Sequence, residues 1–350
     1  MKICLLNNLY KPYNRGGAEN VAAAMIESYQ GTGHEVFLIT TRPNNLDLGE
    51  NKDCRTFYIN SEFYNLNKKS KLVRLFWHFY NLRATKKYHA LKKILQTEKP
   101  DLVISHNLMG LDFKIAQAIK ELKIEHHHFL HDIQLLHPSG LIIYGNENIV
   151  NSLSAKLYQK ITRLFLGSPD LIISPSRWLL EEHLKRGFFK NSKTEIQKLE
   201  NILNIKLSIV ANTNHPPFKR LLFVGQLEKH KGLLFLLDAF KKLATAEMTL
   251  TIGGDGSLLK TAQNLAQADK RIHVLGRLNP EDLKKTFQET DVLIMPSLCY
   301  ENYPLIIIEA RQAGLPVIAA NLGGIPEALG NGGRLFKPGD ANDLFKKINE

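Results

Sequence analysis

At 350 residues, 44% apolar and 23% charged, the chain has the balance of a soluble globular protein long enough for about two domains. Its formal charge is +12, and residues 1–210 carry most of it, with 29 Lys and Arg against 19 Asp and Glu, compared with 17 against 15 over 211–350. Three scattered cysteines (Cys4, Cys54 and Cys299) argue against a disulfide framework or a zinc site, and no run approaches the roughly 18 apolar residues of a membrane span.

"KICLLNN" reads as a first strand rather than a signal peptide, so the expected location is cytoplasmic. A loop containing "NRGGAEN" follows, then a helix over "AENVAAAMIESYQ" and a strand over "HEVFLIT". Residues 63–97 contain no acid. Within them, 68–95 mix basic residues with Trp77, Phe76, Phe79 and Tyr80, a candidate amphipathic helix for an anionic membrane surface. The plainer reading packs those aromatics on the protein's own core. "KPDLVISHN", "IEHHHFLHD" and "SPDLIISPS" are three further buried parallel strands with polar tips. His126 and His128 share one strand face, which reads as a buried strand rather than a metal site. "SRWLLEEHLKRG" is a helix with Ser176 as N-cap and Gly187 near its end.

Residues 206–219, containing Pro-Pro, interrupt the rhythm and are read as ending in a linker. The strand–helix alternation then restarts through "RLLFVGQL", "LLFLLDAFKKLA", "MTLTIGGDG", "SLLKTAQNLAQ", "IHVLGRL", "NPEDLKKTFQET" and "DVLIMPS". The expected fold is α/β, with two tandem Rossmann-like domains facing across a cleft. The first covers residues 1–210 and the second 211–350.

In "YENYPLIIIEARQAG", Pro304 is placed in the first turn of a helix ending at Gly314, because proline has no N–H to waste there. The free N–H groups and dipole of that helix start favour an anion such as a diphosphate. Glu301 before the helix and Glu309 within it would accept hydrogen bonds from hydroxyls on either side. A cap plus one solvated glutamate is the bland alternative. Lys231, just before Gly232 at a helix start, would neutralise phosphate. "GGIPE" and the Gly16-Gly17 pair allow close backbone approach.

Together "GQLEKHKG", "GGDGSL", "DVLIMPSLCYENYPLIIIEARQAGLPVIAANLGGIPE" and "GRLFKPGD" resemble the donor domain of the family-4 retaining glycosyltransferases of GT-B fold. "NRGGAEN", "PDLVISHN", "HDIQLLHP" and "LIISPSRWLLEEHLKRG" extend the resemblance over nearly the whole chain. It implies sugar transfer from a nucleotide-diphosphate sugar, UDP- or GDP-linked, to a glycan or lipid-linked acceptor. The anomeric configuration would be retained, with no metal or further cofactor.

By that resemblance Glu301 contacts the transferred sugar and Glu309 the ribose. The segment Asn302, Tyr303, Pro304 and Leu305 would hold the sugar and diphosphate through its backbone N–H groups. Lys231 neutralises the diphosphate, Gly16 and Gly17 close over it, His131 lines the sugar pocket, and the base rests near Arg277. Gln226 stands where the family usually has an arginine beside Lys231, which predicts weakened donor binding or leaving-group stabilisation. The family normally continues beyond "LFKKINE" with a helix crossing back to the first domain, so interdomain motion is expected. A donor-binding homologue with little activity is the alternative reading. A nucleic-acid-binding protein and a dinucleotide oxidoreductase are disfavoured, the latter by the missing GxGxxG.

Overall fold

The computed structural model describes residues 1–13, 16–43, 51–62, 64, 70, 73, 77, 85–203 and 215–350. The chain forms two compact units. The first comprises Met1–Leu141 and Asn148–Asn204, the second Ile142–Glu147 and Ile205–Glu350.

In the first unit, strands β1 (Lys2–Leu6), β2 (Glu35–Arg42), β3 (Arg55–Asn60), β4 (Leu102–Ser105), β5 (Glu125–Phe129), β6 (Leu171–Ser174) and β7 (Lys193–Ile196) form one parallel sheet. Its order is β3-β2-β1-β4-β5-β6-β7. The helices are α1 (Gly17–Gly31), α2 (Thr85–Glu98), α3 (Ile115–Glu121), α4 (Leu153–Leu166), α5 (Arg177–Leu184) and α6 (Leu199–Leu203). The central strands are apolar because helices cover both faces; β1 and β4 are buried along almost their whole length. Ser176 caps α5 by accepting from the Leu179 N–H at 3.2 Å, and Gly187 follows in the left-handed region.

The second unit repeats the plan with β8 (Arg220–Val224), β9 (Thr249–Gly253), β10 (Ile272–Gly276), β11 (Val292–Met295), β12 (Val317–Ala320) and β13 (Gly333–Phe336), in the order β10-β9-β8-β11-β12-β13. Its helices are α7 (Leu233–Leu243), α8 (Leu259–Ala268), α9 (Pro280–Glu289), α10 (Leu305–Gln312), α11 (Ile325–Leu329) and α12 (Ala341–Asn349). Leu233, Leu236, Leu237 and Phe240 of α7 recur at three- and four-residue spacing and bury against the sheet. Leu344, Phe345 and Ile348 of α12 join the same core.

Each sheet reverses its winding once, between β1 and β4 and between β8 and β11. At such a point the loops leaving two adjacent strands diverge and open a crevice beyond the carboxyl ends.

One feature differs from the sequence reading. Pro304 is the N-cap of α10, with φ −73° and ψ 117°, so the helix starts at Leu305. The loop arrives extended, and a proline fixes φ but leaves ψ free to stay extended. Of the basic stretch 68–95, residues 68–69, 71–72, 74–76 and 78–84, with Phe76, Phe79 and Tyr80, lie outside the described residues. Trp77 is buried. In α2, Lys87 turns inward and donates to the Gly110 carbonyl at 2.7 Å, while Lys92 pairs with Glu121 at 2.5 Å. That helix therefore spends two of its lysines on the unit's own structure.

Candidate active site

In the second unit, the loops after β8 and β11 carry the two strongest sequence candidates and bring them together. Lys231 Nζ donates to Glu301 Oε1 at 2.7 Å. The Ser297 hydroxyl donates to the same oxygen at 2.8 Å, and the Cys299 thiol reaches it at 3.5 Å. Burial pushes the Glu301 carboxyl up, but the Lys231 charge and these three donors outweigh it and hold the group below the usual carboxylate range. Burial likewise pulls Lys231 down, and Glu301 more than restores it. Cys299 is buried beside that carboxylate, and its thiol is pushed up to about 12, so it remains protonated.

Backbone packing fixes these loops. Gly232, with φ +78°, sits so close to Pro296 that a Cβ would fall 1.7 Å from its carbonyl oxygen. Leu298 N–H donates to the His230 carbonyl at 2.9 Å. Gly323, with φ +61°, leaves 2.5 Å between a Cβ and the Glu301 carbonyl oxygen, and Gly324 N–H donates to that oxygen at 2.7 Å. The tract Ile142–Glu147 adds a further strap: Tyr300 N–H donates to Ile142 O and Tyr144 N–H to Leu298 O, both at 2.9 Å.

Beyond Glu301, Asn302 is half-buried, Tyr303 is buried, and Pro304 leads into α10. The N–H groups of Leu305 and Ile306 have no carbonyl one turn back within the helix. Glu309, one turn on, is half-buried, and burial raises its carboxyl. No hydrogen bond joins it to the Lys231–Glu301 pair. Gln226 is exposed in the β8 loop, and Arg277 is exposed after β10. The arrangement places a cation, a carboxylate and a helix start close together, groups of the kind that accept a phosphate and hydroxyls.

In the first unit, the loop after β1 delivers Gly16 and Gly17 at the start of α1. Gly16 N–H donates to Glu19 Oε2 at 2.9 Å. A Cβ on Gly16 would meet nothing closer than 3.9 Å, so neither neighbours nor backbone require glycine there. His131 follows β5, and His106 follows β4. Their Nε2 and Nδ1 atoms lie 2.7 Å apart, with Phe129 stacked on His131. Burial holds both rings well below the usual imidazole range, His106 at about 3, so one proton occupies the bond between two neutral rings. The other histidines of β5 are structural. His126 and His128 share the Ser105 hydroxyl at 2.7 and 2.8 Å, and that hydroxyl can donate to only one of them.

Comparison with known proteins bears on both units. Residues 15–196 match the family described as Glycosyltransferase Family 4, and residues 218–350 match Glycosyl transferases group 1. The chain belongs to the family-4, group 1 glycosyltransferases. A Klebsiella pneumoniae relative, an uncharacterised 42.6 kDa protein in a cps region, is 29% identical over 93% of this chain and 87% of its own length. Among solved structures, the lipopolysaccharide outer core galactosyltransferase WaaB is 19% identical, with TM-score 0.67, over all of this chain and 89% of that one. The Anabaena protein HepE in complex with UDP matches at 19% identity and TM-score 0.67, over 99% and 89%. These structural likenesses establish the GT-B fold.

Within this glycosyltransferase the sequence reading passed over three residues. Glu228 accepts from Ser257 N–H at 2.9 Å and Ser257 Oγ at 2.7 Å, tying the β8 loop to the "GGDGS" turn. Glu19 stands three residues after Gly16, the spacing of a helix-capping acid, which was readable. Asp132, next to His131, lines a small cleft with His106, His131 and Gln134. Burial pushes its carboxyl up to about 7; the Gln134 N–H opposes this and the Glu19 charge adds to it.

The raised value fixes a pH dependence. A carboxyl at 3.8 in the unfolded chain and about 7 in the fold contributes stability that is fully present below pH 3.8 and lost as pH rises through 7. The neighbouring buried histidines act with the opposite sign. Melting temperatures of wild type and Asp132→Asn between pH 4 and 8 isolate the aspartate. The advantage of the asparagine variant should grow up to about pH 7 and then level off; a pH-independent difference would contradict the assignment.

Proposed function

We propose that this chain moves a sugar from a nucleoside-diphosphate sugar to a hydroxyl of a glycan or lipid-linked acceptor, with retention at the anomeric carbon and without a metal. The observation that carries the reading is the Lys231–Glu301 pair at the β8/β11 reversal, beside the start of α10. Its similarity to WaaB and to a protein of a cps region favours synthesis of cell-surface polysaccharide or glycolipid, and HepE in complex with UDP favours a UDP-sugar. Free, buried cysteines fit action at the cytoplasmic face, and among the described residues no helix is long and apolar enough to cross a membrane.

In this reading the incoming diphosphate takes up the Lys231 ammonium. Glu301, released from part of that bond, accepts from the sugar hydroxyls. The C1–O bond to the diphosphate breaks and the acceptor oxygen bonds to C1 on the same face. The acceptor proton passes to the departing diphosphate, whose charge Lys231 and the α10 N-terminus stabilise. Glu309 holds the ribose, and Arg277 lies by the base.

Titration calorimetry with UDP, GDP and other nucleoside diphosphates tests this. One of them should bind with a 1:1 stoichiometry, and heat from none would defeat the reading. Gln226 is exposed, so Gln226→Arg can add a charge without repacking. It should tighten nucleoside-diphosphate binding about tenfold through a charge-assisted contact.

A further inference from the structure

Helix α4 is buried on one face and carries exposed leucines on the opposite one. Ala155, Gln159, Thr162 and Leu166 bury against the first unit. On the outer side Leu153, Leu157 and Leu164 are 87%, 56% and 70% exposed. At 3.6 residues per turn these three fall within about 40° of one another, opposite the buried face. The unit's core leaves them uncovered, and exposed apolar side chains gathered on one helix face mark an interaction surface. Lys156, Lys160 and Arg163 run along one flank, and the helix contains no acid. On the other flank the Lys114 ammonium lies 4.9 Å over the Phe165 ring. Past Leu164 the stripe opens into a groove with Lys120 and Lys123 in its lining.

We propose that this face of α4 docks on an anionic lipid surface, with its leucines in the headgroup–acyl boundary and its cations among the phosphates. Charge decides between a bilayer and a protein partner. Lys160 stands almost in line with the leucines, and lysine is depleted from the cores of protein interfaces. At a lipid surface its stem lies along the apolar layer while the ammonium reaches the phosphates. The proposal goes beyond the transferase reading and does not depend on it.

Flotation of the full chain with phosphatidylcholine vesicles, with and without phosphatidylglycerol, tests it. Recovery should rise about tenfold with the anionic lipid and fall back with added salt. Leu157→Glu/Leu164→Glu should abolish the rise while keeping the wild-type melting temperature, because both side chains are solvated. Lys156→Glu/Lys160→Glu should do the same without touching the leucines. Equal recovery with both lipids would overturn the proposal, as would variants that float like wild type. So would a wild-type dimer in sedimentation that Leu157→Glu/Leu164→Glu converts to monomer, because a second copy would then own the face. Nucleoside-diphosphate titration of the same samples reads the transferase site separately.

Discussion

Lys231→Met is expected to lower sugar transfer by about 10²–10³-fold, the usual cost of removing one preorganised charge from a developing leaving group. It should also destabilise the second unit by roughly 2 kcal/mol, because Glu301 would lose its counter-ion inside a mostly buried loop. The double variant Lys231→Met/Glu301→Gln separates these effects. An amide at 301 still accepts from Ser297 and carries no charge, so much of the stability should return while activity stays lost. Melting curves and donor-dependent transfer rates on the three proteins check this. Transfer by Lys231→Met at the wild-type rate would remove the pair from the mechanism.

Gly232→Ala should have the largest effect on the fold of any single methyl addition in these loops. The residue needs φ +78°, and its Cβ would stand 1.7 Å from the Pro296 carbonyl oxygen, which belongs to rigid backbone. Strain and displacement together should cost roughly 3–4 kcal/mol, and the shift should pull Lys231 away from Glu301. Gly16→Ala is the control. Its φ of −166° suits any residue and its surroundings are open, so stability should change by less than about 1 kcal/mol. Equal destabilisation of the two variants would contradict the packing described here.

Much of this architecture could be read from the chain because buried parallel strands are continuous apolar runs with polar tips. β1, β4, β6, β8 and β11 are of this kind. β7, "KTEI", is exposed along its length and carries no such pattern, so it escaped notice. Lys231 and Glu301 were each singled out from the sequence, as expected phosphate and sugar contacts, but their mutual bond was not legible. Seventy residues separate them, and only the order β8-β11 in the sheet makes their loops neighbours. Asp132 was hidden for another reason: its chemistry comes from burial beside Glu19, which composition does not encode.

The loops of the second unit meet main chain to main chain, at Gly232 on Pro296, Gly254 on Gly225 and Gly323 on Glu301. Their backbone path is therefore fixed where main chain meets main chain. A scaffold of this kind separates tolerance from chemistry. Substitutions at exposed tips such as Gln226 and Arg277 should cost the fold little, whereas the glycines beneath them are closed to change.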